Sequence, residues 1–250
     1  MVCDCLKTGI VVPCYNEGRR LANMDYTHLF EEFSEARFCF VNDGSSDNTL
    51  DVLRDFEKGR PNQVTVVNLG TNVGKGEAVR AGISHILSGH SLDFVGYWDA
   101  DMSTPLSEIC RFVQVLKQRA GVQFVCGSRI RRMGAVIERL WYRHYLGRAF
   151  ATAASLVLGM PIYDTQCGAK LMRPELAKHI FSEAFLSRWL FDVELLARTK
   201  KIVGEDEVNE VVFELPLEKW QDMGGSKVTF YHYFIRAPYD LIRIFCRYDC

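Results

Sequence analysis

The feature that most limits the fold is a rhythm of short apolar runs, each ending in a polar loop. The runs are Gly9–Pro13, Arg37–Val41, Val64–Leu69 and Phe94–Trp98, with helical patterns between them at about Leu29–Phe33, Leu50–Lys58 and Glu77–Leu87. Short apolar runs bounded by turn residues read as buried strands. Strand-loop-helix units in succession imply a parallel sheet joined by right-handed crossovers. The expected class is therefore α/β, a mostly parallel central sheet flanked by helices. Ligands of such sheets bind outside the carboxyl ends of the strands, so function is sought in the loops that follow the runs.

The fourth run leads into two carboxylates, Asp99 and Asp101, one residue apart. In an extended segment they point to the same side. Hard oxygen ligands of this kind suit Mg²⁺ or Mn²⁺, which bind one or two carboxylates together with waters and substrate phosphates. The pair reads as a clamp for a metal-bound diphosphate, against the alternative of two solvated loop acids. The second run opens into Asn42-Asp43-Gly44-Ser45-Ser46-Asp47-Asn48-Thr49, a turn with helix-capping residues. The third ends in Gly70-Thr71-Asn72-Val73-Gly74-Lys75-Gly76, which has neither P-loop nor dinucleotide-fingerprint spacing.

At 250 residues and 48% hydrophobic, the chain has enough apolar material for one large domain, set at 1–228, with a C-terminal amphipathic segment at 229–250. A formal net charge of -1 gives no reason to expect nucleic acid as a partner. The nine cysteines form no C-x-x-C pair and follow no secretory leader, which predicts reduced thiols in the cytoplasm. The longest uncharged run, Ala149 to Tyr163, contains Gly159 and Pro161 and falls short of the roughly 20 residues of a spanning helix.

The second half gathers arginines at Arg129, Arg131, Arg132, Arg139, Arg143 and Arg148, after an apolar run ending at Ser128. Guanidinium matches phosphate in a two-pronged fashion, and Arg139 and Arg143 share a helix face, so an anion is expected there. A solvated helix is the plainer reading of any single one. A polar run, Asp164 to Lys170, precedes a helix at Phe191–Leu196 whose buried side takes Phe191, Leu195 and Leu196. Asp192 is expected off that side, and with Glu194 it could simply complement the helix dipole. Val211–Leu217 reads as a late strand.

Together these blocks resemble the family 2 inverting glycosyltransferases of GT-A (Rossmann-like) fold. The resemblance rests on Val12-Pro13-Cys14-Tyr15-Asn16-Glu17, Val41 to Asp47, Asn72 to Gly76 and Asp99-Ala100-Asp101. Asp164-Thr165-Gln166-Cys167-Gly168, Arg188-Trp189 with Phe191 to Leu196, and Trp220 through Lys227 are similar to the branch that glucosylates dolichyl or other polyprenyl phosphates. The resemblance implies that Pro13, Tyr15, Asn16 and Glu17 border the nucleotide, that Asp43 faces its base and that Lys75 lies nearby. It gives the metal to Asp101 and Asp99 and the acceptor phosphate to Arg129, Arg139 and Arg143. It places Asp164 and Asp192 at the sugar and Ser226 and Lys227 at the donor diphosphate. Asn42 stands where an aspartate is common, and Ser103 where mannosyl relatives carry a glutamine ligand, which disfavours the mannosyl branch.

The implied activity is metal-dependent transfer of glucose from UDP-glucose to a polyprenyl or dolichyl phosphate on the cytosolic face of a membrane. The chemistry is Asp101 and Lys227 placing charge against the leaving diphosphate. An acceptor phosphate is already largely anionic at neutral pH and needs no strong base. A sugar hydroxyl would need a carboxylate such as Asp192 to take its proton. The alternatives are a GDP-mannose-dependent mannosyltransferase, a nucleotidyltransferase, and a non-catalytic sugar-nucleotide-binding module. The membrane anchors of many relatives are missing, so attachment is expected through Phe230–Arg236 and Leu241–Tyr248, where aromatics and arginines mix; a helix packed on the core is the other reading.

Overall fold

A computed structural model describes residues 7–24, 26–138, 141–223 and 236–249, with backbone alone at 27–29 and 141–144. The chain alternates strands and helices: β1 Thr8–Cys14, α1 Gly18–Ala22, α2 Tyr26–Glu32, β2 Arg37–Asp43, α3 Thr49–Gly59, β3 Val64–Leu69, α4 Lys75–Gly89 and β4 Phe94–Trp98. It continues with α5 Glu108–Gln118, β5 Phe124–Ser128, β6 Val136–Glu138, α6 Trp141–Leu158, β7 Ala169–Met172, α7 Pro174–Ile180, α8 Phe191–Val203, α9 Val208–Val211, β8 Val212–Pro216, β9 Lys219–Gln221 and α10 Ala237–Tyr248.

Seven strands form one sheet in the order β3-β2-β1-β4-β7-β5-β8, and β6 pairs with β9 apart from it. The first four strands are parallel, which brings the loops after β1, β2 and β4 to one edge. Among the described residues only β7 runs against its neighbours, pairing antiparallel with β4 and β5. The polar run read at Asp164–Lys170 hid this strand. Its approach to β4 is so close that a Cβ on Gly96 would lie 1.9 Å from the Lys170 carbonyl oxygen, so β4 needs glycine there.

Side-chain alternation divides the core in two. Ile10, Val12, Phe38, Phe40 and Trp98 face one way, onto Leu53 of α3 and Phe112 and Leu116 of α5. Val11, Cys39, Val41 and Tyr97 face the other, onto α4 and the layer formed by α6, α7, α8 and α10. Because α8 lies inside that layer, every residue from Phe191 to Thr199 is buried. Asp192 and Glu194 are therefore not on a solvated face, contrary to the periodicity reading. α10 packs on α8 and α6 and gives Ala237, Leu241 and Ile244 to the same core, so this part of segment 229–250 is built into the fold.

Among the described residues no helix is long and apolar enough to cross a membrane. The expected reduced state holds at Cys14, Cys39, Cys126, Cys167 and Cys246 and fails at Cys110, which is disulfide-bonded.

Candidate active site

Two non-glycine residues with positive φ, Asn16 (53°) and Met102 (53°), sit just past the ends of β1 and β4. Such conformations are uncommon and persist where surrounding contacts hold them. For Asn16 the contacts come from the loop after β2. Its N–H donates to Ser45 Oγ at 3.0 Å, and its Oδ1 accepts from the Ser46 N–H at 2.9 Å. The next two N–H groups donate to Thr49 Oγ1 from Glu17 (2.9 Å) and to Asp47 Oδ2 from Gly18 (3.1 Å). Asp47 is held below the usual carboxylate range: burial is the largest single influence and pushes the other way, but the hydrogen bonds from Thr49 and Gly18 together outweigh it. Pro13 lies near the end of β1, and Tyr15, Asn16 and Glu17 lie on a loop fastened to its neighbour, with Glu17 also paired to Arg20 at 2.9 Å.

Asp43 has a structural task at this edge. Its two carboxylate oxygens accept from the N–H groups of Val73 (2.7 Å) and Gly74 (3.0 Å), which fixes the glycine-rich loop ahead of α4. Burial raises its pKa, and the two backbone hydrogen bonds and Arg188 oppose the rise. The side chain expected to face the base is therefore turned toward this loop. Arg188 latches the loop's other side, donating to the Asn72 carbonyl at 2.8 Å.

The loop sets Lys75 at the start of α4, with Nζ 2.5 Å from Asp99 Oδ1. Burial disfavours the Lys75 charge, but Asp99 and Asp192 outweigh it and hold the pKa up at about 12. Asp101 lies beyond, half-buried, its Oδ1 accepting from the Ser103 N–H at 2.9 Å. Among the described residues no group of three metal-ligating side chains occurs. One or two carboxylates suffice for a hard ion that also takes waters and phosphate oxygens, so Asp101 with Asp99 fits that chemistry.

Behind Asp99 lies a network that the sequence reading only half found. Lys170, fully buried in β7, spends its three donors on the carbonyls of Thr165 (3.0 Å) and Cys167 (2.8 Å) and on Asp192 Oδ1 (2.5 Å). Tyr97 donates to the same Asp192 oxygen. A lysine inside the apolar run Ala169–Met172 was the available signal for this centre; Tyr97 gave none. The network stiffens the loop 164–168, whose Gly168 carbonyl accepts from the Asp99 N–H at 3.0 Å. A Cβ on Gly168 would lie 1.8 Å from Asp99 Oδ2. Gly168→Ala is therefore expected to displace Asp99 and lower kcat/KM about a hundredfold, the scale of an ångström misplacement at a reacting centre. Steady-state kinetics beside a melting curve of the same variant check this.

Arg129 and Asp164 are brought together, not set apart at two substrates. Arg129 Nε and Nη2 meet Asp164 Oδ2 and Oδ1 at 2.6 and 2.8 Å, and the guanidinium lies over Trp220, 5.4 Å from the ring centroid. Glu214 accepts from the Tyr163 and Asp164 N–H groups and props the same turn. A buried two-pronged pair of this kind leaves Arg129 little capacity for an acceptor phosphate. Arg139, Ser226 and Lys227 lie outside the described residues, and Arg143 is described only as backbone of α6.

Comparison with known proteins identifies the family. The profile of Glycosyl transferase family 2 matches residues 9–181. The chain belongs to that family. Curated relatives of this glycosyltransferase include dolichyl-phosphate beta-glucosyltransferases of three organisms. That of Trichomonas vaginalis is 32% identical over 249 residues, 95% of this chain and 70% of the relative. Those of Dictyostelium discoideum (30%, 98% of this chain and 76% of the relative) and Homo sapiens (32%, 96% and 75%) align as fully.

Among solved structures, glucosyl-3-phosphoglycerate synthase from Mycobacterium tuberculosis, in complex with Mn²⁺, UDP and glucosyl-3-phosphoglycerate, superposes with a TM-score of 0.66. It is 18% identical, covering 98% of this chain and 80% of that one. A mannosyltransferase from Pyrobaculum calidifontis, in complex with GDP-Man and Mn²⁺, gives a TM-score of 0.62 at 17% identity over 97% and 64% of the two chains. These show that the glycosyltransferase has the fold of those enzymes, the GT-A fold.

Proposed function

We propose that this glycosyltransferase moves glucose from UDP-glucose to the phosphate of dolichyl phosphate, with inversion at the anomeric carbon, on the cytosolic face of a membrane. The observation that carries the reading is the chain-long similarity, at 30–32% identity, to curated dolichyl-phosphate beta-glucosyltransferases.

The geometry supports the acceptor class independently. Asp192, the carboxylate that would have to deprotonate a sugar hydroxyl, is buried and its Oδ1 holds Lys170 and Tyr97. A phosphate acceptor, already anionic, needs no such base. In the reaction an acceptor phosphate oxygen forms a bond to C1 of glucose as the C1–oxygen bond to UDP breaks, its electron pair leaving on the diphosphate.

Asp101, with Asp99 beside it, would hold Mg²⁺ or Mn²⁺, which when bound neutralises the charge growing on the departing diphosphate. Lys75 keeps Asp99 in place, and Pro13 near the end of β1, the loop bearing Tyr15, Asn16 and Glu17, and the segment held by Asp43 would border the nucleotide. Arg139 and Arg143 would orient the acceptor phosphate, and Ser226 and Lys227 would take the donor diphosphate. Asp164 and Arg129 act together, shaping the turn at the sugar end.

Calorimetry in the presence of Mn²⁺ tests the donor. UDP-glucose is expected to bind, and chelator to weaken it at least about tenfold through loss of a phosphate ligand. Tight binding of GDP-mannose with none of UDP-glucose would overturn the reading.

A further inference from the structure

The geometry points to a membrane-docking surface built from the outer faces of α10 and α6. It rests on the lipid acceptor just proposed and says which side of the molecule meets the bilayer. α10 has three sides. Ala237, Asp240, Leu241 and Ile244 are buried against the fold. Rotated away from them at helical spacing are Pro238, Tyr239, Ile242, Phe245 and Cys246, all exposed and none charged. Arg236, Arg243 and Arg247 line the edge between these two faces.

A helix that has already buried one apolar face has no need of a second for folding. Yet Tyr239, Ile242 and Phe245 are 57%, 63% and 48% exposed. The neighbouring α6, against which α10 packs, extends the pattern. Its exposed residues Tyr145, Ala149, Thr152, Ala153 and Leu156 carry no charge, with Tyr145 67% and Leu156 78% exposed. Half of the ten large hydrophobic residues exposed among the described residues thus lie on these two packed helices.

The occupant is a bilayer with anionic headgroups, because of where the charges lie. The apolar face of α10 bears no acid, and its one inner acid, Asp240, is turned inward to accept from Ser187 Oγ at 2.6 Å. The three arginines flank the apolar face and stay partly exposed, although Arg236 and Arg243 lean toward Asp240 and Arg247 toward Glu183. An apolar face with a basic edge suits the headgroup boundary, where side chains such as Tyr239 and Phe245 sit among acyl chains and guanidinium groups meet phosphates.

Deleting α10 would not test this, since Leu241 and Ile244 belong to the core. The test is the full chain carrying Ile242→Glu with Phe245→Glu, and separately Tyr145→Glu with Leu156→Glu, beside the unchanged protein. Each is assayed for flotation with vesicles containing phosphatidylserine. Each is also assayed for glucosyl transfer to dolichyl phosphate in those vesicles and to a short, water-soluble prenyl phosphate.

The docking surface predicts salt-sensitive flotation reduced about tenfold in the α10 variant, with transfer to vesicle-borne acceptor reduced in parallel. Transfer to the soluble acceptor and the melting temperature should stay within about twofold and about 2 °C of the unchanged protein, as for exposed substitutions. Unaltered flotation of both variants would overturn the proposal. So would an equal loss with both acceptors, or a variant that only converts a dimer to a monomer. If no protein transfers glucose to either acceptor while flotation responds as predicted, the functional reading fails and the docking surface stands.

Discussion

Asp101→Asn is expected to lower turnover about a thousandfold while leaving the melting temperature unchanged. The asparagine Oδ1 can still accept from the Ser103 N–H, the bond that Asp101 makes at 2.9 Å, so the turn after β4 has no reason to reorganise. What disappears is a negative charge at the one carboxylate of the β4 pair that is not already committed to a lysine. Asp99 is held by Lys75 at 2.5 Å and cannot take over without surrendering that pair. Charge stabilisation of a leaving diphosphate by a bound ion amounts to several kcal/mol, and each 1.36 kcal/mol is a factor of about ten. Turnover measured across a Mn²⁺ titration checks this; activity within about tenfold of the unchanged enzyme at every concentration would remove Asp101 from the metal.

The largest effect on stability is expected at Lys170. Replacing it with methionine keeps the volume of a buried strand position but strands the Asp192 carboxylate and the carbonyls of Thr165 and Cys167. Breaking a buried ion pair from one side costs about 3–5 kcal/mol, which in a chain of this size lowers the melting temperature by roughly 6–20 °C.

The sign of the pH dependence follows from the same pair. Burial works against the Lys170 charge, but Asp192 outweighs it, so the lysine pKa is raised in the folded protein. Its stabilisation is therefore complete below the ordinary lysine value and is lost as pH climbs through the raised one. Lys170→Met combined with Asp192→Asn should recover part of the loss, because the second change removes the orphaned charge. Urea denaturation of the single and double variants checks both statements. A single-variant loss under about 1 kcal/mol, less than the usual cost of leaving a buried charge unpaired, would contradict the account.

Much of the architecture could be read in the residues because burial of β1, β2 and β4 is nearly complete on both faces. β1, β2 and β4 are continuous apolar runs, and their ends mark the loops of the site. β7 was not legible: Lys170 interrupts its apolar pattern, and the partner that explains a buried lysine, Asp192, lies 22 positions on in another element. The same distance problem hid the Arg129–Asp164 fork, whose members are 35 positions apart and each resemble a substrate ligand when read singly. α10 shows a third kind of limit. A moment along one helix registers that apolar and basic residues separate, but not that the apolar set itself divides into an inner and an outer face.

The claim that orders all of this is that glucose is joined to a lipid phosphate and not to a hydroxyl or to water. The most direct measurement incubates the full chain with UDP-glucose, Mn²⁺ and dolichyl phosphate and resolves the organic-soluble product by mass spectrometry while UDP release is counted. The account predicts glucosyl dolichyl phosphate and UDP in equal amounts, with the lipid product absent when dolichol replaces dolichyl phosphate. UDP release without a glucosylated lipid, or glucose appearing on the unphosphorylated dolichol, would contradict it.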